Sequence, residues 1–312
     1  MLLSIALTGF ICAVEVAGGI WTGSLALLSD AAHVFLDVLA LGMSYVALRL
    51  AALPPNARHS YGYRRAEVLV ALANAVTLLV VAVGIGREAW ERWWTPVAVH
   101  SGEMLAIAVL GLGANLAVAL ALRGHVHHNL NVKSAFLHVV GDALASVGVI
   151  VGALVMLTTG WYGADPLVSA LIGLLIAYGG WGVLRESLHI LMEGAPEGLT
   201  VPALARALAD VEGVQGVHDL HVWSTGAGQP TLSAHVRVAE TDLPRSPALL
   251  GRLRRLLHEE YGIEHSTLQI ECADCGQGCY ECLSAVGADE TAAMSADRQE
   301  QASPLGEGGR AP

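Results

Sequence analysis

Charge is what this sequence has least of. Of 312 residues, only 14% are Asp, Glu, Lys or Arg, against roughly 25% in a soluble globular domain. An ordinary soluble enzyme is excluded. Lysine is almost missing, since Lys133 stands alone against sixteen arginines, a bias that reflects genome composition more than function. The formal net charge of −11 lacks the basic excess that a nucleic-acid partner requires. Cysteine is sparse too. Cys12 is isolated, and the other four of five fall within positions 272–282, which points to metal rather than to a disulfide framework. Neither H-E-x-x-H nor G-x-S-x-G occurs anywhere, so an intramembrane zinc hydrolase or a serine hydrolase lacks its signature.

What the chain does have is apolar length. Hydrophobic residues make up 54% and the mean hydropathy is +0.53. The charge is unevenly shared: residues 1–194 carry 11 acids and 9 bases, a net of −2, whereas residues 195–312 carry 17 and 8, a net of −9. This predicts a membrane domain over 1–194 followed by an acidic soluble part. A spanning helix needs roughly 20 mostly apolar residues. Uncharged runs at 68–86, 104–122, 143–164 and 166–184 meet that length, and the stretches 2–20 and 25–48 meet it if they bury Glu15 in the first and Asp30, His33 and Asp37 in the second. Six spans are expected. The first stretch has no basic leader and no A-x-A site, so it is read as a span and not as a signal peptide. Arg49, Arg58, Arg64, Arg65, Arg123, Lys133 and Arg185 lie on one side of the bilayer and only Arg87 and Arg92 on the other, which predicts that both termini are cytoplasmic.

Past Glu193 the periodicity changes. Residues 200–211 read as an amphipathic helix, 214–224 and 231–239 as strands, 246–261 as a basic helix and 265–271 as a last strand. This αββαβ order predicts a small α+β domain over 195–272, with its helices on one sheet face. Residues 273–312 are a cysteine-containing segment, then from 283 an Ala, Gly, Ser, Glu and Pro tail expected to be disordered.

Ionisable residues inside a membrane span are costly and mark a functional path by default. The second span carries His33-Val-Phe-Leu-Asp37, and the fifth carries His138-Val-Val-Gly-Asp142. At a spacing of four, both side chains of a pair share one helical face. Two such faces meeting offer two nitrogens and two oxygens, a set that suits tetrahedral Zn²⁺. The bland reading, interhelical hydrogen bonds worth about 1 kcal/mol each, is a poor return for burying two carboxylates. Metal and protons would compete for these four side chains, so a site facing each side in turn would exchange Zn²⁺ for H⁺. Asp30 shares the face of His33 and Asp37, as a supporting partner, a proton relay or a helix-entry cap. Glu15, Asn74 and Asn115 read as satisfied interhelical hydrogen bonds.

These residues, with Gly23-Ser-Leu-Ala-Leu-Leu-Ser-Asp30 before the first pair, resemble the cation diffusion facilitator family. Tyr61-Gly-Tyr-Arg-Arg-Ala-Glu67, Val217-His-Asp-Leu-His-Val-Trp223 and Ser266-Thr-Leu-Gln-Ile-Glu271 are similar to it as well. The likeness covers about residues 1–272 and is greatest to the zinc-exporting branch. It implies six membrane helices, a ferredoxin-like cytoplasmic domain, homodimers, and zinc–proton antiport out of the cytoplasm across the inner membrane. It also implies that His33, Asp37, His138 and Asp142 are the transport site, with His at position 33 favouring zinc over cadmium. A second loop site of some members would fall on Asn56, His59 and Tyr63, where one ligand type survives, so it is expected to be absent. The soluble-domain pattern implies His218, His235 and Glu271 as a further metal site, an interlock near Arg65 and Glu193, and Trp223 as an apolar anchor. His221 and His265 read as ordinary surface or packing residues.

Cys272, Cys275, Cys279 and Cys282 form two C-x-x-C units three residues apart, too close for a zinc ribbon. They read as a compact metal-capture segment, or else as a redox dithiol, which the missing thioredoxin-like context disfavours. His125, His127 and His128 could gather metal or simply belong to a solvated loop. A metal sensor that moves nothing would leave the buried ligands without a task, so a secondary transporter is the expected class.

Overall fold

A computed structural model describes residues 2–123, 130–226 and 228–272. The chain divides into two compact units, Met1–Leu188 and His189–Pro312. In the first, the apolar runs fold as helices, the one open structure that satisfies every backbone polar group without water. They are α1 (Leu2–Thr22), α2 (Leu25–Ala51), α3 (Ala66–Trp94), α4 (Ser101–Arg123), α5 (Leu130–Thr159) and α6 (Ala164–Leu191). Helices α2 to α6 contain stretches long and apolar enough to cross a bilayer, and over Gly9–Thr22 α1 is apolar but shorter. Leu41, Val80, Leu110, Leu144 and Leu174 point outward, as lipid-facing side chains do. The interior relies on small residues. Gly173 of α6 fits against Ile85 and the Ala82 carbonyl of α3, and Gly180 against Leu78 and the Ala75 carbonyl. Close backbone approach of this kind holds helices together where lipid removes the hydrophobic drive.

One boundary differs from expectation. The uncharged run 143–164 is not a single element, because α5 ends at Thr159 and Gly160 turns the chain with φ +69° before α6 begins. As expected, α5 contains Asp142 and the His138 position, and it reaches back beyond the uncharged run to Leu130.

The start of α2 is held from a distance. Ser24 is its N-cap, and the hydroxyl accepts from the Leu27 N–H at 3.1 Å. The same hydroxyl donates to Asp165 Oδ1 at 2.6 Å, and Asp165 also accepts from the N–H groups of Leu25 (2.8 Å) and Ala26 (3.2 Å). Asp165 is 1% exposed, so a carboxylate near the start of α6 sits on the positive end of the α2 dipole. Arg92 of α3 donates to the Gly23 carbonyl at 2.6 Å and lies 3.8 Å from Asp165 Oδ2. The beginnings of α2 and α6 and the end of α3 are thereby tied together.

The second unit contains α7 (Val201–Ala209), β1 (Gly216–Ser224), β2 (Pro230–Arg237), α8 (Ser246–Tyr261) and β3 (His265–Glu271). A 3₁₀ turn over Glu240–Arg245, not anticipated, leads into α8. Strand order is β1-β2-β3, with β1 antiparallel and β3 parallel to β2. The parallel pair needs a crossover, which α8 supplies. Leu204 and Leu208 of α7 and Leu249, Leu253 and Leu257 of α8 pack with Val222, Leu232, Val236 and Leu268 in one core. Alternation then leaves His218, His235 and Glu271 on the opposite sheet face.

Asp165→Ala removes three acceptor contacts from the α2 terminus, and a lost cap costs up to about 2 kcal/mol. A lowered unfolding midpoint of the purified protein is the expected result; an unchanged one would show that the carboxylate holds nothing.

Candidate functional site

Helix α2 presents His33 and Asp37 one turn apart, and α5 presents Asp142 across from them. His33 Nδ1 lies 3.6 Å from Asp37 Oδ2, and His33 Nε2 lies 3.7 Å from Asp142 Oδ1. One ligand atom from each of the three residues falls within 4.8 Å of the others. Ligands sharing a tetrahedral Zn²⁺ at 2.0–2.1 Å stand about 3.3 Å apart, so the cluster is close to that spacing. A single imidazole nitrogen can ligate, so only one of the two short separations could be ligand to ligand. His138 belongs to α5 one turn before Asp142, but its side chain lies outside the described residues.

Behind this cluster lies a second buried polar group. Ser146 of α5 donates to Asp30 Oδ2 at 3.3 Å or to the Asp142 carbonyl at 3.1 Å, and accepts from Asn115 of α4 at 3.4 Å. Asp30 is therefore not a helix-entry cap, a task that Ser24 performs; it is a fully buried carboxylate beside the ligand cluster. Asn115 makes the interhelical bond expected of it. Glu15 Oε2 and Asn74 Oδ1 are buried without a hydrogen-bond partner among the described residues, so at these atoms the expected bond is not made.

The loop after α2 is held by its own residues. Asn56 Oδ1 accepts from the N–H groups of Arg58 and His59, its amide donates to the Tyr63 hydroxyl, and the rings of His59 and Tyr63 lie 4.5 Å apart. These three positions build a turn and present no ligand cluster.

In the second unit the strands bring three expected residues together. His218 and His235 are directly paired across β1 and β2, and Glu271 ends β3. His218 Nε2 lies 3.1 Å from Glu271 Oε2, and His235 Nδ1 lies 2.9 Å from Glu271 Oε1. Neither His235 Nδ1 nor Glu271 Oε2 is aligned for a hydrogen bond despite this closeness. Short separations without alignment are what side chains aimed at a common third point produce, and two imidazoles with a carboxylate suit zinc. Gln269 steadies Glu271 by donating to Oε1 at 2.7 Å. Sequence reasoning missed Asp219. It sits in a bulge of β1 at φ +49°, 3.1 Å from His221 Nε2 and 3.6 Å from His235 Nε2. His221 and His265 are exposed strand residues outside the cluster. Val222 occupies the core, and Trp223, next along the strand, is half-buried on the other face.

Cys272 follows β3 directly as an exposed free thiol. Cys275, Cys279 and Cys282 lie outside the described residues, as do the loop histidines 125, 127 and 128. Cys12 is buried between α1 and α2, its Sγ 3.5 Å from the Ala31 carbonyl, and takes no part in either cluster.

The sequence matches the cation efflux transmembrane domain over residues 1–192 and the cation efflux protein cytoplasmic domain over residues 196–273. Among curated proteins, it is 41% identical over 283 residues to "Zinc transporter ZitB" of Escherichia coli (strain K12), covering 90% of each chain. It is 39% identical over 270 residues to "Cadmium, cobalt and zinc/H(+)-K(+) antiporter" of Bacillus subtilis (strain 168), covering 86% of each. A solved structure titled "Metal-bound C-terminal domain of the CzcD transporter from Cuprividus metallidurans" is 27% identical, covers 23% of this chain and 99% of its own, and has a TM-score of 0.22, too low to speak for the fold.

Proposed function

The chain belongs to the cation efflux family, whose members are transporters and not enzymes, and from that premise we propose that it exports Zn²⁺ from the cytoplasm in exchange for protons. The transport site is His33, Asp37, His138 and Asp142, exposed to each side in turn. The observation that carries this is the convergence of His33, Asp37 and Asp142 from two apolar helices to within 4.8 Å. Zinc is the cargo because two imidazoles and two carboxylates suit it, and because it is the metal common to the two relatives' names.

The charge balance gives the coupling. Bound Zn²⁺ is neutralised by the two aspartates, with both imidazoles unprotonated. When it leaves, two carboxylates remain in a membrane interior that tolerates unpaired charge poorly, and protons replace the charge of the cation. A half-cycle with neither is costly, which is what makes the exchange obligatory. Asp30, a buried carboxylate held by Ser146 one turn after Asp142 on α5, would relay those protons.

In this reading α1 is the sixth span, both termini are cytoplasmic and the membrane is the inner one. Residues 1–194 transport, residues 195–272 form a ferredoxin-like cytoplasmic domain, and residues 273–312 form the tail. His218, His235 and Glu271 hold a resident zinc ion, and Cys272, Cys275, Cys279 and Cys282 capture metal near it. The chain works as a homodimer, in keeping with the dimer domain matched over residues 196–273.

In proteoliposomes, zinc flux through the wild-type protein should rise with an imposed pH gradient and fall to the protein-free background in Asp37→Ala. Flux indifferent to the gradient would contradict exchange, and an active Asp37→Ala chain would contradict the site. For the resident ion, the Asp37→Ala chain should still bind zinc, and adding His235→Ala should weaken that binding more than about 100-fold, since losing a residue that merely supports a ligand already costs 10- to 100-fold. Unchanged affinity would move that zinc elsewhere.

A further inference from the structure

Glu15 is the carboxylate that the transport site does not use. It lies in α1, is 2% exposed, and its Oε2 has no hydrogen-bond donor among the described residues. Its other oxygen sits in a notch that only glycine leaves open: a Cβ on Gly111 of α4 would collide with Glu15 Oε1 and come within 4.0 Å of Ser146 Oγ. The same Ser146 hydroxyl is 3.3 Å from Asp30 Oδ2, and Asp30 Oδ1 likewise has no donor. Two buried carboxylates thus come near Ser146 of α5, Asp30 of α2 at 3.3 Å and Glu15 of α1 across Gly111 of α4. An acceptor left without a donor in such surroundings is expensive, and a charged carboxylate is more so. A carboxyl proton would supply the missing donor.

The groups facing Glu15 are all acidic or neutral. Among the described residues they are Cys12 one turn earlier on α1, Asp30 on α2 and Asp142 on α5, while α4 contributes Gly111. No basic residue is among them. The charge that Glu15 experiences is therefore governed by whether a cation sits among His33, Asp37 and Asp142. Two added positive charges there favour an ionised Glu15; their loss favours a protonated one.

We infer that Glu15 is a proton-binding site separate from the metal ligands, occupied when the ligand cluster is free of metal and vacated when Zn²⁺ enters it. This deepens the exchange reading and rests on it. In the step itself the O–H bond of the Glu15 carboxyl breaks, the electron pair stays on the carboxylate, and the proton passes to water on the side to which the site is open. The metal ligands can release protons of their own, so Glu15 adds to a count and does not replace it. Gly111 is its positioning residue, because any side chain there would collide with the Glu15 carboxyl and force it to move.

The test is the number of protons released per zinc bound, measured calorimetrically on the full-length protein in buffers of different ionisation enthalpy. Glu15→Gln keeps the shape of the protonated acid and cannot release a proton. The expected result is zinc binding with about one proton fewer per zinc than wild type, and the wild-type number restored in Glu15→Asp. Glu15→Gln protein that releases the wild-type number overturns the assignment. Gly111→Ala gives an independent reading should Gln at position 15 prevent folding, since it spares every ligand and leaves Glu15 titratable. It is expected to shift the pH midpoint of zinc-linked proton release, and an unshifted midpoint overturns the assignment equally. A wild-type protein that releases no protons on binding zinc would contradict the exchange reading itself, whereas release that ignores Glu15 contradicts only this inference.

Discussion

A carboxylate inside a helical membrane bundle has to be neutralised by something, and that requirement organises the first unit. Three solutions to it occur side by side. Asp165 is neutralised by backbone, taking the N–H groups at the start of α2 together with a hydroxyl and the nearby Arg92 guanidinium. Asp37 and Asp142 converge on one imidazole from two helices. Glu15 and Asp30 each keep one buried oxygen without a donor among the described residues. The first arrangement is complete and therefore static. In the proposed cycle the other two are completed by a mobile cation, a metal in one case and a proton in the other, and a site that must be completed from outside is suited to transport.

The static carboxylate serves the mobile ones. Ligands within a few tenths of an ångström of a working geometry need a rigid support, and α2 carries two of the proposed four. Its first turn is fixed by Ser24 and Asp165, and the Arg92 contact to the Gly23 carbonyl ties in α3. Small residues then bring the helices together, as Gly173 and Gly180 do for α3 and α6. The sheet of the second unit solves the positioning problem differently. There the hydrophobic core claims one face, so every second residue of β1, β2 and β3 is presented on the other, and register alone sets His218 opposite His235.

What could be read in advance follows from the range of the interaction. His33 and Asp37 are four residues apart, so their shared face is a local property of the helix and was legible, as were the strand over 265–271 and the helix over 246–261. Asp165 was not, because it completes a helix 140 residues away and looks locally like a residue in the first turn of its own. Gly111 and Ser146 were equally hidden, since a small residue in an apolar run acquires a role only from what packs against it. The break at Gly160 was missed because hydropathy does not register a tight turn between two spans. Asp219 escaped because a bulge disturbs the alternation on which strand reasoning depends.

The central claim is that imidazole and carboxylate from α2 and α5 hold the transported zinc together. X-ray absorption spectroscopy at the zinc edge tests it most directly, on protein in which His218, His235 and Glu271 are replaced by Ala and the four tail cysteines by Ser. The account predicts four nitrogen or oxygen neighbours at about 2.0–2.1 Å, with imidazole scattering from two histidines that falls to one in His33→Ala. Sulfur in the first shell, six-fold coordination, or a spectrum untouched by His33→Ala would contradict it.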